Sequence, residues 1–264
     1  MKAPDFAYAK PATLAEALAL LERPGAQVLA GGQSLIPALN MRLSSPEILV
    51  DIGALNELQG ISLQNGSLRI GALTTHAQLE HSSEVQKHVP LLALAAPHIA
   101  HPAIRNRGTL GGSLALADPA AEYPACAVAT EATLLVASKS GERRVRAADF
   151  FKGLFQTDLR RGEILVAAEF PRAKKGDRFA FQELARRHGD YAIVGLAVHN
   201  DRAAFFGVGD TPFVIKDLST RKKAMAFLQH HLEPSPDLYH SSAAKRHLAG
   251  VLLERAWNTL PTSH

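Results

Sequence analysis

Cys126 is the only cysteine among 264 residues. One thiol cannot form an intrachain disulfide, a thiolate zinc site or an iron–sulfur cluster, which takes four protein ligands. Long apolar runs are missing too: nothing approaches the ~20 consecutive apolar residues that cross a bilayer. The opening Met1-Lys2-Ala3-Pro4-Asp5 carries no apolar targeting segment, so a cytoplasmic location is expected. Aromatic residues are scarce at 6 %, and 29 basic residues are interspersed with 25 acidic ones for a net charge of +4. A nucleic-acid surface needs a longer basic stripe with interleaved aromatics. The densest basic pieces, Arg143-Arg144-Val145-Arg146, Arg186-Arg187 and Arg221-Lys222-Lys223, read instead as solvated faces or a protein interface. Arg186-Arg187 is the preferred docking pair.

Familiar nucleotide signatures are also absent. Gly108-Thr109-Leu110-Gly111-Gly112 lacks the G-x-G-x-x-G order, and Gly207-Val208-Gly209 is followed by Pro212 where a third glycine belongs. No Walker A ending occurs, and none of the twelve histidines falls in an H-E-x-x-H pattern. Glu122 and Glu131 would work as an acid–base pair only if folding brings them together.

Two similar glycine pairs are present: Ala30-Gly31-Gly32-Gln33-Ser34-Leu35 and Thr109-Leu110-Gly111-Gly112-Ser113-Leu114. Glycine lacks a Cβ, so a Gly-Gly turn exposes backbone N–H groups to an anion and accepts positive φ. Two such turns, each with a hydroxyl nearby, suggest a cradle for a diphosphate and hence a nucleotide cofactor. Arg105 and Arg107, beside the second pair, either offset diphosphate charge or are simply exposed.

The patterning is α+β. Thr13-Leu14-Ala15-Glu16 is a capping box for a helix that Pro24-Gly25 stops. Ala26–Leu29 and Ile48–Ile52 read as strands flanking the first glycine loop and a short helix, a βαβ-like unit on a small parallel sheet. Strands are expected near 67–72, 132–137, 164–170, 179–184 and 192–199, and Val89–His98 reads as an apolar helix. Asp118-Pro119 reads as the N-cap and first position of another helix, which carries Cys126. The polar stretch 172–177 marks a boundary. The chain is therefore divided into 1–174, a small βαβ unit plus a larger mixed or antiparallel sheet, and 175–264, about three antiparallel strands with helices.

The motifs Ala30–Pro37, Leu49–Ile52, Gly71–His76, Ile104–Leu114, Ala117–Glu122, Glu183–Ala192 and Gly207–Pro212 together resemble the FAD-binding medium subunit of molybdenum hydroxylases, of the carbon monoxide dehydrogenase and xanthine dehydrogenase types. The resemblance covers essentially the whole chain. It implies that residues 1–174 are an FAD-binding domain whose two glycine loops hold the FAD diphosphate. It implies cofactor contacts from Leu29, Ala30, Gly31, Gly32, Gln33, Ser34 and Leu35, and from Ile104, Thr109, Leu110, Gly111, Gly112 and Ser113. It adds Asp118 as a cofactor-binding carboxylate, Tyr191 as the aromatic near the isoalloxazine ring, and Leu165 in an apolar segment beside it. His98 and His101 are either flavin neighbours or ordinary helix-end histidines. Relatives often carry His where this chain has Gln33, whose amide still donates, and often Ile and Asn where it has Leu110 and Ser113.

The function implied is electron transfer: a flavin accepts electrons singly or in pairs, and one cysteine cannot hold the clusters that supply them. By the same resemblance a large molybdopterin subunit and a small [2Fe–2S] subunit are the partners, in a dimer of heterotrimers. The alternatives are a stand-alone flavin oxidase and a non-catalytic nucleotide-binding scaffold. The substrate binds another subunit and leaves no trace in this sequence.

Overall fold

The computed structural model describes residues 2–260. Met1 and residues 261–264, the outer ends of the two expected domains, lie outside the described residues.

The first layer is a parallel three-stranded sheet, ordered β1 (Ala7–Ala9), β3 (Ile48–Asp51), β2 (Ala26–Leu29). Helix α1 (Leu14–Leu21) connects β1 to β2. Thr13 caps it by accepting from the Glu16 N–H, but the Glu16 carboxylate accepts from Ala12 N rather than Thr13 N, so the expected box closes one residue early. Leu18 and Leu21 of α1 then bury against Val50, Ile52 and Val166.

The second sheet is antiparallel, in the order β4 (Ile61–Gln64), β5 (Ser67–Gly71), β10 (Ile164–Pro171), β6 (Thr133–Ser138), β7 (Gly141–Arg146). Alternation puts opposite faces of β10 into different cores. Ile164 and Val166 meet α1, whereas Leu165, Ala168 and Phe170 join the main core. A small hairpin, β8 (Phe151–Gly153) with β9 (Gln156–Thr157), follows the short helix α9 (Ala147–Phe150).

The main core is a helical layer between this sheet and a third one. It contains α3 (His76–His81), α4 (Ser83–His88), α5 (Pro90–Ala95), a 3₁₀ turn at Ala96–His98, α6 (Pro102–Arg105), α7 (Leu110–Leu116) and α8 (Glu122–Ala129). Thr75 and Gln78 make the capping box that opens α3. The expected 89–98 helix is present, with its last turn tightened to 3₁₀. Helix α8 lies against β12 (Ala192–His199) and β13 (Arg202–Phe206), and α7 against β10.

The third sheet is the antiparallel meander β11 (Phe179–Ala185), β12, β13, β14 (Phe213–Ile215), one short strand more than expected. Its outer face carries α10 (Arg221–His231) and α11 (Ser242–Thr259). No described helix is long and apolar enough to cross a membrane.

Candidate functional site

The first glycine loop leaves β2 and enters the six-residue helix α2 (Leu35–Asn40). Gly32 holds φ +72°, a left-handed conformation that only glycine adopts without cost. The backbone N–H groups of Gly31, Gly32, Gln33 and Ser34 donate to no protein acceptor among the described residues. Ser34 stands at the helix N-cap, exposed, without turning its hydroxyl back on the helix. The Gln33 amide folds onto its own loop and donates to the Gly31 carbonyl at 3.2 Å.

This loop forms one wall of a cavity of about 670 Å³. Leu29, Ala30, Gly31, Gly32 and Gln33 line it together with Lys10, Asp51 and Arg107. Asp51 accepts from the Tyr8 hydroxyl and from Gly53 N, leaving Lys10 and Arg107 to supply positive charge. A set of unpaired N–H donors, a positive φ and two cations make an anion cradle. Ser34 and half-buried Leu35 flank it.

The second glycine pair is built differently, and the reading of it as a turn is corrected. Gly111 and Gly112 lie inside helix α7. Thr109 caps that helix, its hydroxyl accepting from Gly112 N at 3.0 Å. Leu110 N donates to Thr74 O, Gly111 N to Ala72 O and Ser113 N to Thr109 O, so these donors are already engaged. Gly111 is required because α7 crosses the end of β5 at close range. A Cβ there would stand 2.5 Å from the Ala72 methyl and 2.8 Å from its carbonyl oxygen. Gly111→Val is therefore expected to lower stability by roughly 1–3 kcal/mol through overpacking, read as a lower denaturant midpoint in the flavin-free chain; an unchanged midpoint would show that α7 can lift off Ala72.

The two loops nevertheless meet. Gly31 packs directly on the backbone of Arg107 and Gly108, with no room for a side chain. Half-buried Ile104 secures the approach to α7, its carbonyl accepting from Gly108 N at 2.7 Å. Arg105 is not a phosphate ligand. It is buried against Glu80 at 2.7 Å and donates to the Ile99 and Ala100 carbonyls. Arg107 is the exposed arginine that lines the cavity.

Beyond α7 the chain turns through Ala117, at φ +53°, into Asp118. Asp118 does not cap α8; its carboxylate accepts from Ala120 N at 2.9 Å in a separate turn, and the N-cap of α8 is Ala121. The seven residues of α7 thus separate the glycine-loop end from the Asp118 end by ~10 Å at 1.5 Å per residue. Tyr191 is 73 % exposed on the β11–β12 hairpin, and partial desolvation, with the Asp118 and Glu122 charges adding to it, raises its phenol. Gly189, φ +85°, seats that hairpin on the Ala100 carbonyl and His101. Leu165 is buried in the main core.

Sequence reasoning missed Glu183. Period two along β11 puts it on the face that carries Phe179 and Phe181 into the main core. An inward glutamate in that row was the available signal. Its side chain is 3 % exposed and Oε2 has no hydrogen-bond partner. Burial, reinforced by Glu122, pushes its carboxyl up to about 8. Glu122 itself is 7 % exposed, and burial, with Asp118 adding to it, raises its carboxyl to about 7. Glu131, the partner considered for Glu122, instead salt-bridges Arg202 at 2.6 Å.

Four of the eight basic residues in the three basic segments are ion-paired within the described residues. Arg143 pairs with Asp158 and Glu163, Arg144 with Glu169, Arg146 with Asp149 and Arg221 with Glu254. The Arg186 guanidinium stands 4.7 Å over the Tyr239 ring. Cys126 is fully buried in α8.

Residues 4–173 match the family model described as the FAD binding domain in molybdopterin dehydrogenase. The chain is 44 % identical over 199 residues to the 6-hydroxypseudooxynicotine dehydrogenase complex subunit alpha of Paenarthrobacter nicotinovorans, covering 75 % of this chain and 67 % of that one. It is 35 % identical to the carbon monoxide dehydrogenase medium chain of Hydrogenophaga pseudoflava, covering 97 % and 96 %. Among solved structures, quinoline 2-oxidoreductase from Pseudomonas putida 86 superposes with a TM-score of 0.89 at 40 % identity, covering 97 % of this chain and 96 % of that one. An α+β chain with an open anion cradle and these relatives is an oxidoreductase subunit, and it belongs to the FAD-binding subunits of molybdenum hydroxylase-type dehydrogenase complexes.

Proposed function

We propose that this chain carries electrons from the iron–sulfur clusters of a small partner subunit to an external acceptor. The proposed assembly also contains a large molybdopterin subunit, and is a cytoplasmic dimer of heterotrimers. FAD supplies the one- and two-electron chemistry; the chain supplies binding, orientation and electrostatics. The observation that carries the reading is the row of unpaired N–H groups at Gly31–Ser34 beside Lys10 and Arg107. Those donors fit a diphosphate, whose charge the two cations offset.

The remaining assignments follow from the distance between the two ends of α7. Leu29–Leu35 would hold the diphosphate directly. Ile104 and Thr109–Ser113 would act mostly by placing Arg107 and the Ser113 hydroxyl, since the N–H groups of Leu110, Gly111, Gly112 and Ser113 are engaged. About 10 Å along, Asp118 and Tyr191 would orient the ring end, with Leu165 closing the apolar wall. The division into a 1–174 FAD-binding domain and a 175–264 flavoprotein domain belongs to the same proposal, with the ring end lying where the two meet.

The FAD is held non-covalently in this reading, because Cys126 is fully buried in α8 and away from the cradle. Trichloroacetic acid is expected to release all the yellow colour into the supernatant. Colour left in the pellet would reveal a covalent anchor. Bleaching by a small substrate with no partner subunit present would favour the stand-alone oxidase instead.

A further inference from the structure

His76, the first residue of α3, is buried, and neither of its ring nitrogens has a hydrogen-bond partner among the described residues. Two bare polar atoms in the interior cost stability that an apolar side chain in the same space would not. The ring is kept there at that cost, and its neighbours indicate what it holds in place.

The first neighbour is Gly108. A Cβ on that glycine would stand 3.3 Å from Cε1 and 3.4 Å from Nδ1 of His76, so the imidazole lies against the bare backbone. The second is Tyr123 of α8, fully buried, its ring centroid 5.1 Å away and turned 79° to the imidazole. Gly108 in turn supports the first glycine loop. A Cβ on Gly31 would fall 2.1 Å from the Arg107 carbonyl oxygen and 3.0 Å from the Gly108 Cα. Contacts therefore run from Tyr123 through His76 and Gly108 to Gly31, and Arg107, next in the chain, lines the cavity.

The backbone stitches the same segments together. His76 N donates to the Gly108 carbonyl at 2.9 Å and Leu110 N to the Thr74 carbonyl at 3.0 Å, with Thr75 bridged to Thr109 between them. These bonds set the register but need no particular side chain at 76. The ring supplies the bulk beside Gly108. Burial lowers its imidazolium to about 4, the Thr109 backbone pulls the other way, and Arg105 lowers it again. At neutral pH the ring is uncharged, so its influence on an anion is by contact.

We infer that His76 is a positioning residue of the anion cradle: its ring, packed between Tyr123 and Gly108, sets where the Arg107–Gly108 segment meets Gly31. This deepens the diphosphate reading of the first glycine loop and rests on it. Ligand-binding groups depend on neighbours whose packing locks them. Truncating the ring opens space beside Gly108, and the segment can settle into it, shifting Arg107 relative to the N–H row of Gly31–Ser34. Every part of the cradle survives such a change, but their spacing does not.

The test is calorimetric titration of the flavin-free full chain with inorganic pyrophosphate. Arg107→Met and His76→Ala are each expected to weaken binding about tenfold or more. The double variant should bind no more than about twofold worse than Arg107→Met, because His76 acts through that segment. Independent effects, multiplying to about a hundredfold, would overturn the inference, as would wild-type affinity in His76→Ala. Leu79→Ala separates positioning from general loosening. Leu79 lies one turn along α3 and is fully buried, so its loss should lower the urea midpoint and leave pyrophosphate affinity unchanged. Equal loss of affinity in both truncations would reduce His76 to ordinary core packing and overturn the inference. Should His76→Ala not fold, Gly108→Ala probes the same contact by crowding the ring at 3.3 Å. It is expected to weaken pyrophosphate binding several-fold, and unchanged affinity there would also overturn the inference. Wild-type protein that binds no pyrophosphate refutes the cradle itself, whereas equal binding by wild type and His76→Ala refutes the positioning role alone.

Discussion

Gly31→Val is expected to emerge from purification folded but colourless. Its Cβ would occupy space already held by the Arg107 carbonyl, where the first glycine loop rests on the segment leading into α7. The strain can be relieved only by parting the two loops. That moves the open N–H row of Gly31–Ser34 away from Arg107, the two halves of the anion cradle. Losing two or more charge-assisted hydrogen bonds at ~1.5–3 kcal/mol each lowers FAD affinity by at least ~100-fold. Fluorescence titration of the flavin-free protein measures this directly. Gly176→Ala is the matched control: Gly176 holds φ +94° with nothing within 4 Å of its would-be Cβ, so it takes a backbone penalty far from the cradle and should keep full flavin. Normal flavin in Gly31→Val would mean that contact between the loops does not matter for binding.

The second large effect is on stability as a function of pH. Glu122 and Glu183 hold their protons more tightly in the folded chain than the ordinary glutamate value of 4.5 allows, up to about 7 and about 8. Between about pH 4.5 and 8 the native state therefore retains protons that the unfolded state has released, and stability falls as pH rises through that window. Glu183→Gln replaces the acid with a neutral group of the same shape. It is expected to raise unfolding free energy at alkaline pH by on the order of 2–4 kcal/mol, taking ~1.4 kcal/mol for each tenfold change in proton affinity. Near pH 5, where the native acid is protonated anyway, the gain should nearly vanish. Urea midpoints of wild type and variant at both pH values supply the comparison. A parallel offset at both would mean that the glutamate is not the titrating group.

Much of the scaffold could be read from local chemistry. The caps at Thr13 and Thr75, the strand running into Gly31-Gly32 and the alternation in 67–71 are short-range signals, each decided by a few neighbours. The first cradle was legible for the same reason: a strand, two glycines and a helix start specify its backbone almost alone. The second pair was not, because what fixes Gly111 is Ala72, far along the chain and brought close by the β5–α3 connection. Asp118 looked like an N-cap because Asp-Pro favours one. Its carboxylate instead closes a turn on Ala120, and α8 begins only at Glu122. Arg105 and Arg107 differ by two positions and have opposite fates, one locked to Glu80 and the other facing the cavity. Helical geometry separates them, and no composition argument could. Glu183 was within reach of period-two reasoning, but the burial of Glu122 depends on how α8 docks on the third sheet.

Cys126 has a consequence for the working life of the molecule. A flavoprotein that meets oxygen while reduced produces oxidants at its own surface, where an accessible thiolate would be the first casualty. Here the one thiol is fully buried, and burial pushes its pKa well up, so the nucleophilic form is suppressed in the native state. Oxidation of that thiol therefore begins only once α8 opens. Slow alkylation of that thiol then serves as a built-in clock for core opening, ticking at the rate at which the flavin domain breathes.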